Sequence, residues 1–258
     1  MRLGYRYVSV VAILAACFLA PAAAARAQDE NARALLDKVE SSIPRVPLMA
    51  KATLTSPSRG WVREMTLMYK HMDDVDASYM EVTSPLDVKD TRFLLLDHEH
   101  GADEQFIYVP AIKRSIQVSE QTRKQPFLGS DFYVSDMVRP DLDGYTYRFV
   151  GEEDVLGRHC KLIEGTPKDP AKETYSKSII AVDPKDMVIV RTQFFDAKGK
   201  LLKVWTIEKL EKVDGYWTPM VQVMKNVQDD TESKLTLTEI KYNADISDET
   251  FRRAHLIR

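Results

Sequence analysis

LLKVWTIEKLEKVDGYWTPMVQVMKN, residues 201–226, reads as two runs of strand-forming residues joined by Asp214-Gly215. Asp-Gly is the pair that the tightest hairpins require, because both central residues of such a turn take positive φ. The same punctuation recurs on either side. Asp183-Pro184-Lys185-Asp186 separates 172–182 from 187–195, Ala197-Lys198-Gly199 follows 195, and Asp229-Asp230 lies between 216–227 and 232–242. Separators this short cannot hold crossover helices, so the segment predicts an antiparallel meander.

Working outward, period two returns at Trp61-Val62-Arg63-Glu64-Met65-Thr66-Leu67-Met68-Tyr69, where Trp61, Met65, Leu67 and Tyr69 share a face. Residues 29–43 differ. Ala34, Leu35, Val39, Ser42 and Ile43 fall at helical spacing and Pro44 and Pro47 stop the run, which predicts one amphipathic helix. Ser247 before Asp248 and Glu249 caps a short last helix that carries Phe251. About ten antiparallel strands must close, stack, or curl around a cover. The fold class expected is mainly β: one curved antiparallel sheet forming a half-open, incomplete barrel under a helical and loop lid.

The amino terminus predicts export. Arg2 and Arg6 precede an apolar run over 8–20, too short to span a bilayer, and Ala25-Arg26-Ala27 fits the small-x-small cleavage rule. Residues 1–27 are therefore read as a signal peptide and 28–258 as one domain in the periplasm. Leu14-Ala15-Ala16-Cys17 also has the form of a lipobox, which would anchor the chain to a membrane through Cys17. Cleavage after 27 leaves Cys160 as the one cysteine, so the expectation is a core without disulfide support. With 44% hydrophobic residues the length suffices for that. Removing Arg2, Arg6 and Arg26 takes Lys plus Arg from 36 to 33 against 39 acids, a net charge of about −6. That balance, with no basic tract, argues against nucleic acid or an anionic membrane surface as the main partner.

Familiar chemistries find little support. His98 and His100 would point the same way on a strand, but the pair borders the Gly101-Ala102-Asp103 turn and lacks a third ligand, so no metal is expected. Gly129-Ser130-Asp131 lacks the spacing of a nucleophile elbow. Glu152, Glu153 and Asp154 form an acidic run in which no paired-carboxylate site is readable. Phosphate-binding glycine loops, C-x-x-C and H-E-x-x-H are absent from the sequence. No catalytic residue and no cofactor is assigned.

What remains is apolar. Gln125-Pro126-Phe127-Leu128-Gly129-Ser130-Asp131-Phe132-Tyr133-Val134-Ser135-Asp136-Met137 interrupts the strands with three aromatics between polar staples. Phe127, Phe132 and Met137 can cover an oily surface while Ser130, Asp131, Ser135 and Asp136 bond nearby backbone. Methionines at 65, 68, 137, 220 and 224 add thioethers, which repack around irregular ligands. An acyl chain of about 14–16 methylenes gains roughly 0.8 kcal/mol per CH₂, about 11–13 kcal/mol in all, on leaving water. A carrier of such a chain needs an enclosed apolar trough. The residues expected to line it are Met65, Leu67, Tyr69, Phe93, Leu95, Tyr108, Met220 and Met224, closed by Phe127, Phe132 and Met137. The bent sheet is expected to leave this hollow open rather than fill it with its own side chains.

The combination of Phe106-Ile107-Tyr108-Val109-Pro110-Ala111-Ile112-Lys113-Arg114, Phe127-Leu128-Gly129-Ser130-Asp131-Phe132 and Ser135-Asp136-Met137 resembles the outer-membrane lipoprotein-sorting, LolA-like proteins. The resemblance continues through Thr174-Tyr175, Phe195-Asp196 with Gly199-Lys200, and Trp217-Thr218-Pro219-Met220, and covers roughly 60–257. It implies a half-open barrel with a helical lid, a periplasmic carrier of lipidated protein or lipid that is not an enzyme, and a monomer. Members of the branch resemble partners of inner-membrane RND/MMPL transporters, which leaves an accessory module without cargo as the alternative. The arginine-dependent lid lock of the founding chaperone matches no arginine readable in this sequence.

Overall fold

A computed structural model describes residues 20–99, 103–139 and 141–257. The predicted signal residues up to 19, Cys17 and His100 lie outside the described residues. Helix α1 (Ala20–Ser42) begins earlier than the periodicity indicated and ends just before Pro44.

Thirteen strands follow, more than the ten expected. They are β1 (Leu48–Ser56), β2 (Trp61–Met72), β3 (Val75–Ser84), β4 (Arg92–His98), β5 (Glu104–Val109) and β6 (Arg114–Gln117), then β7 (Tyr145–Val155), β8 (Arg158–Pro167), β9 (Lys177–Asp183), β10 (Val188–Phe195), β11 (Leu201–Val213), β12 (Tyr216–Asn226) and β13 (Thr231–Tyr242). All pair antiparallel in a single sheet ordered β6-β5-β4-β3-β2-β1-β13-β12-β11-β10-β9-β8-β7. The β1–β13 pairing joins the two meanders, and β6 and β7 remain at opposite edges, so the barrel does not close. At the deciding turn Asp214 and Gly215 have φ of 51° and 88°, as the Asp-Gly pair requires. Residues 172–176 precede β9 instead of belonging to it.

Register shifts interrupt the ladders at Glu64/Met65, Ile189/Arg191 and twice in β11 between Ile207 and Leu210. Each such bulge bends its strand and raises local twist, which is how a long sheet curls. The inner face receives two covers. Ala32, Leu35, Leu36 and Val39 of α1 pack on Tyr147, Ile163, Ile180 and Val182, and the segment 126–137 packs on the other half of that face. Fully burying a Leu or Val contributes about 1.5–3 kcal/mol, so this stripe, and not helix propensity, is what seats α1.

On the outer face Ala244, Ile246, Phe251 and Leu256 of the carboxyl terminus cover Ala77, Tyr79, Leu94 and Phe106. The expected last helix is two 3₁₀ turns, Asp248–Phe251 and Arg253–Ile257, the first capped by Ser247 Oγ accepting from Glu249 N at 3.3 Å. Cys160 is buried as a free thiol beside Val155, Ala181 and Val190.

Candidate functional site

The strand alternation places Met65 and Leu67 of β2, Met80 of β3, Phe93 of β4 and Met224 of β12 in one apolar cluster. Phe127, Phe132, Val134 and Met137 of the flap enter that same cluster, and the Phe127 and Phe93 rings lie 4.7 Å apart. Seven of the eleven expected lining and lid residues therefore meet: Met65, Leu67, Phe93, Phe127, Phe132, Met137 and Met224. Leu95 joins them at a hollow lined also by Ser78, Ile107, Val118 and Val138.

Three residues fall elsewhere. Tyr108 lies on the outer face beside Phe106, under the Arg92 guanidinium at 5.3 Å, because it is one residue out of phase with inward-facing Ile107. Met220 is half-buried on β12 outside the cluster. Tyr69 donates its hydroxyl to Asp76, where His71 Nδ1 at 2.9 Å and Arg139 Nη1 at 2.8 Å also meet the carboxylate. This end of the inner face is thus charged. Asp97 sits there too, its pKa pushed up to about 6 by burial and then by neighbouring Asp103. His98 pairs with Glu104 at 3.4 Å and Glu99 with Arg45.

The hollow is not the open trough expected. It holds about 40 Å³, whereas ligand pockets run to about 300–1,000 Å³. The flap's own side chains take the space, so an acyl chain can enter only where the flap leaves.

The flap is folded tightly on itself. Phe127 N donates to Phe132 O at 2.8 Å and Val134 N to Gln125 O at 3.0 Å, while Leu128 and Gly129 turn the tip with φ of 49° and 70°. Ser130 Oγ donates to Phe127 O at 2.7 Å and accepts from Phe132 N at 3.2 Å, as a backbone staple should. Ser135 accepts instead from the Thr174 hydroxyl at 3.1 Å.

Asp131 does more than staple. It is 3% exposed, forms a two-pronged ion pair with Arg59 at 3.0 and 3.0 Å, and accepts from Thr231 and Ser233 hydroxyls at 2.6 Å each. Burial alone would raise its pKa, but the Arg59, Ser233 and Thr231 bonds outweigh burial and hold it below the usual carboxylate range. Asp136 accepts from Tyr133 N at 2.7 Å and from the Tyr175 hydroxyl at 2.9 Å, and burial pushes its pKa up. Between them stands Lys203 of β11, 1% exposed, donating to Asp131 O at 2.5 Å and lying 2.9 Å from the Tyr133 ring centre. This latch ties the flap to β11, β13 and the β1–β2 turn. Arg59, Lys203, Thr231 and Ser233 were missed in the sequence because each bonds a residue at least 72 positions away, a separation that local pattern does not report.

Burial pushes Lys203 down to about 8 from 10.5, against the pull of Asp136 and Asp131. A lysine depressed on folding penalises the native state fully below pH 8, and the penalty fades as pH rises towards 10.5, where the unfolded chain also loses its proton. Stability should therefore rise across that window by about 3 kcal/mol, and Lys203→Met should lack the rise. Urea melts of both proteins at about pH 7 and about pH 10 measure it; parallel pH curves would show that Lys203 is not buried as a cation.

The chain is an incomplete antiparallel barrel whose apolar inner face is shut by a helix and a latched flap, and it shares its fold with solved structures of outer-membrane lipoprotein-sorting and LolA superfamily proteins. A domain from Vibrio parahaemolyticus described as an outer membrane lipoprotein-sorting protein matches with a TM-score of 0.83 and 24% identity, over 89% of this chain and 100% of that one. A DUF1329 family protein from Desulfovibrio piger matches at 0.82 and 22%, covering 89% and 99%, and a LolA superfamily protein from Nitrosomonas europaea at 0.66 and 17%, covering 87% and 98%. The chain belongs to the family described as "-like: Uncharacterized protein", whose model matches residues 74–258. Among curated proteins none matches.

Proposed function

We propose that the mature chain, 28–258, is a single-domain periplasmic carrier that takes the acyl chain of a lipoprotein or lipid beneath its flap and moves it towards the outer membrane, without catalysing a reaction. The fold shared with lipoprotein-sorting structures supports this reading. The observation that carries it is the apolar inner face under a cover made by one short segment: Phe127, Phe132, Val134 and Met137 occupy the place an acyl chain would fill.

The exchange is energetically open. Lifting four such side chains into water costs about 6–12 kcal/mol at about 1.5–3 kcal/mol each. An acyl chain entering in their place returns about 11–13 kcal/mol. The two nearly cancel, which suits a carrier that must both load and release. The latch then decides the resting state.

Lipid mass spectrometry of gently purified mature protein should find a bound lipid or acylated peptide, and a fluorescent fatty acid should bind, faster in Arg59→Ala than in wild type. Protein that is consistently empty and blind to the fatty acid in both forms would end the carrier reading. The small size of the hollow favours one other possibility, an accessory module of an inner-membrane RND-type transporter that carries nothing itself. In that case the transporter would still work with a variant whose flap is chemically tethered shut.

A further inference from the structure

The turns joining β1 to β2, β3 to β4 and β5 to β6 lie side by side at one end of the sheet, because those six strands are consecutive neighbours in its order. Three apolar side chains stand out from this rim. Leu86 is 88% exposed at the tip of the 85–91 turn, with Ile112 at 52% on the turn beside it and Val62 at 53% at the start of β2. Among the described residues nothing packs over Leu86, and Val62 and Ile112 are left about half exposed.

The same rim concentrates cations. Over 57–64, 85–92 and 110–114 the sequence has Arg59, Arg63, Lys89, Arg92, Lys113 and Arg114 against Glu64, Asp87 and Asp90, in a protein whose overall charge is −3. Arg59 is spent on Asp131 and Arg92 on Glu81. Arg63, Lys89, Lys113 and Arg114 have no ion pair among the described residues, although arginines elsewhere such as Arg33, Arg139, Arg158 and Arg191 are paired with carboxylates. Arg63 is stacked on Trp61 at 4.3 Å, with its guanidinium beside the Gly129 tip of the flap. Burial lowers its pKa against the pull of the nearby Asp87 carboxylate, and a cation with no ion pair among the described residues invites an anion from outside.

We infer that this rim is a docking surface for a bilayer rich in anionic lipid. Unpaired cations ringing protruding aliphatic tips match a layer of phosphate groups over acyl chains: the tips enter the interface, the cations stay at headgroup level, and Trp61 lies at the boundary that indole rings favour. A purely acidic protein partner would satisfy the cations and leave Leu86 unburied. Docking here brings the flap tip and Arg59 to the membrane side of the molecule. The inference goes beyond cargo binding, since it can be read with the trough empty.

Flotation of the mature chain with phosphatidylcholine vesicles, with and without phosphatidylglycerol, tests it. Binding is expected only to the anionic vesicles and should weaken as salt rises. Each cation removed should weaken it about fivefold, so Lys89→Ala/Lys113→Ala loses about 25-fold, and Leu86→Asp also loses binding with an unchanged thermal melt. Lys185→Ala, on the opposite rim, should bind like wild type. Failure to float with anionic vesicles, equal binding to neutral ones, or an equal loss in Lys185→Ala would overturn the assignment, while fatty-acid binding by the same protein would leave the carrier reading intact.

Discussion

Asp131→Ala is expected to lower the unfolding free energy by about 3 kcal/mol, the low end of the 3–5 kcal/mol for breaking a buried ion pair, because Arg59 can turn partly towards water. The loss has several parts that act together. Arg59 is left without its carboxylate and the Thr231 and Ser233 hydroxyls lose a shared acceptor, while the backbone bond from residue 131 N to Ser233 Oγ at 3.0 Å remains. Asp131→Asn keeps the shape and one acceptor oxygen and should lose roughly half as much. The flap is the element released, so binding of a hydrophobic dye should rise in Asp131→Ala while the far-ultraviolet spectrum of the sheet stays unchanged. Wild-type stability and dye binding would mean that the apolar contacts of Phe127 and Phe132 hold the flap alone. The latch is also acid-sensitive in one direction only: the carboxyl is held low, so its contribution is complete above the ordinary carboxylate pKa and disappears as pH falls through the depressed value.

Phe132→Asp is expected to leave the sheet folded and to tip the exchange towards a bound acyl chain, because the wild-type side chain competes for the same place. Phe132 is buried against the Met65 and Met224 side of the inner face, and a carboxylate cannot occupy that place without ionic or hydrogen-bonded partners. The cover then stays off. Losing one aromatic contact of about 1.5–3 kcal/mol from the closed flap tightens acyl-chain binding by tenfold to about a hundredfold, measurable as the affinity for a fluorescent fatty acid. Phe132→Leu, which remains apolar, should stay within a few-fold of wild type. Equal affinities in all three proteins would remove the flap from the exchange mechanism.

Much of this site was legible along the chain. The flap announced itself as aromatics and hydroxyl or carboxylate residues crowded between strands, and Met65, Leu67 and Phe93 followed from period two on strands with one apolar face. Tyr108 shows how that reasoning fails, since an error of one residue in phase sends a side chain to the opposite face. Arg59 and Lys203 were out of reach for a different reason: their partners come together only when the sheet curls. The basic rim repeats the lesson for charge. Net composition argued against an anionic surface, yet Arg63, Lys89, Lys113 and Arg114, scattered over three turns, become one patch when the hairpin ends align.

Alternation and turn chemistry, which act over two to four residues, were enough by themselves to determine a mainly β chain, its antiparallel meander and its helical cover. Whether the inner face stands open or filled, and what fastens the flap across it, was decided only by the tertiary structure. Volume and ion pairing depend on which distant side chains share a space, and curvature accumulated over thirteen strands sets that sharing.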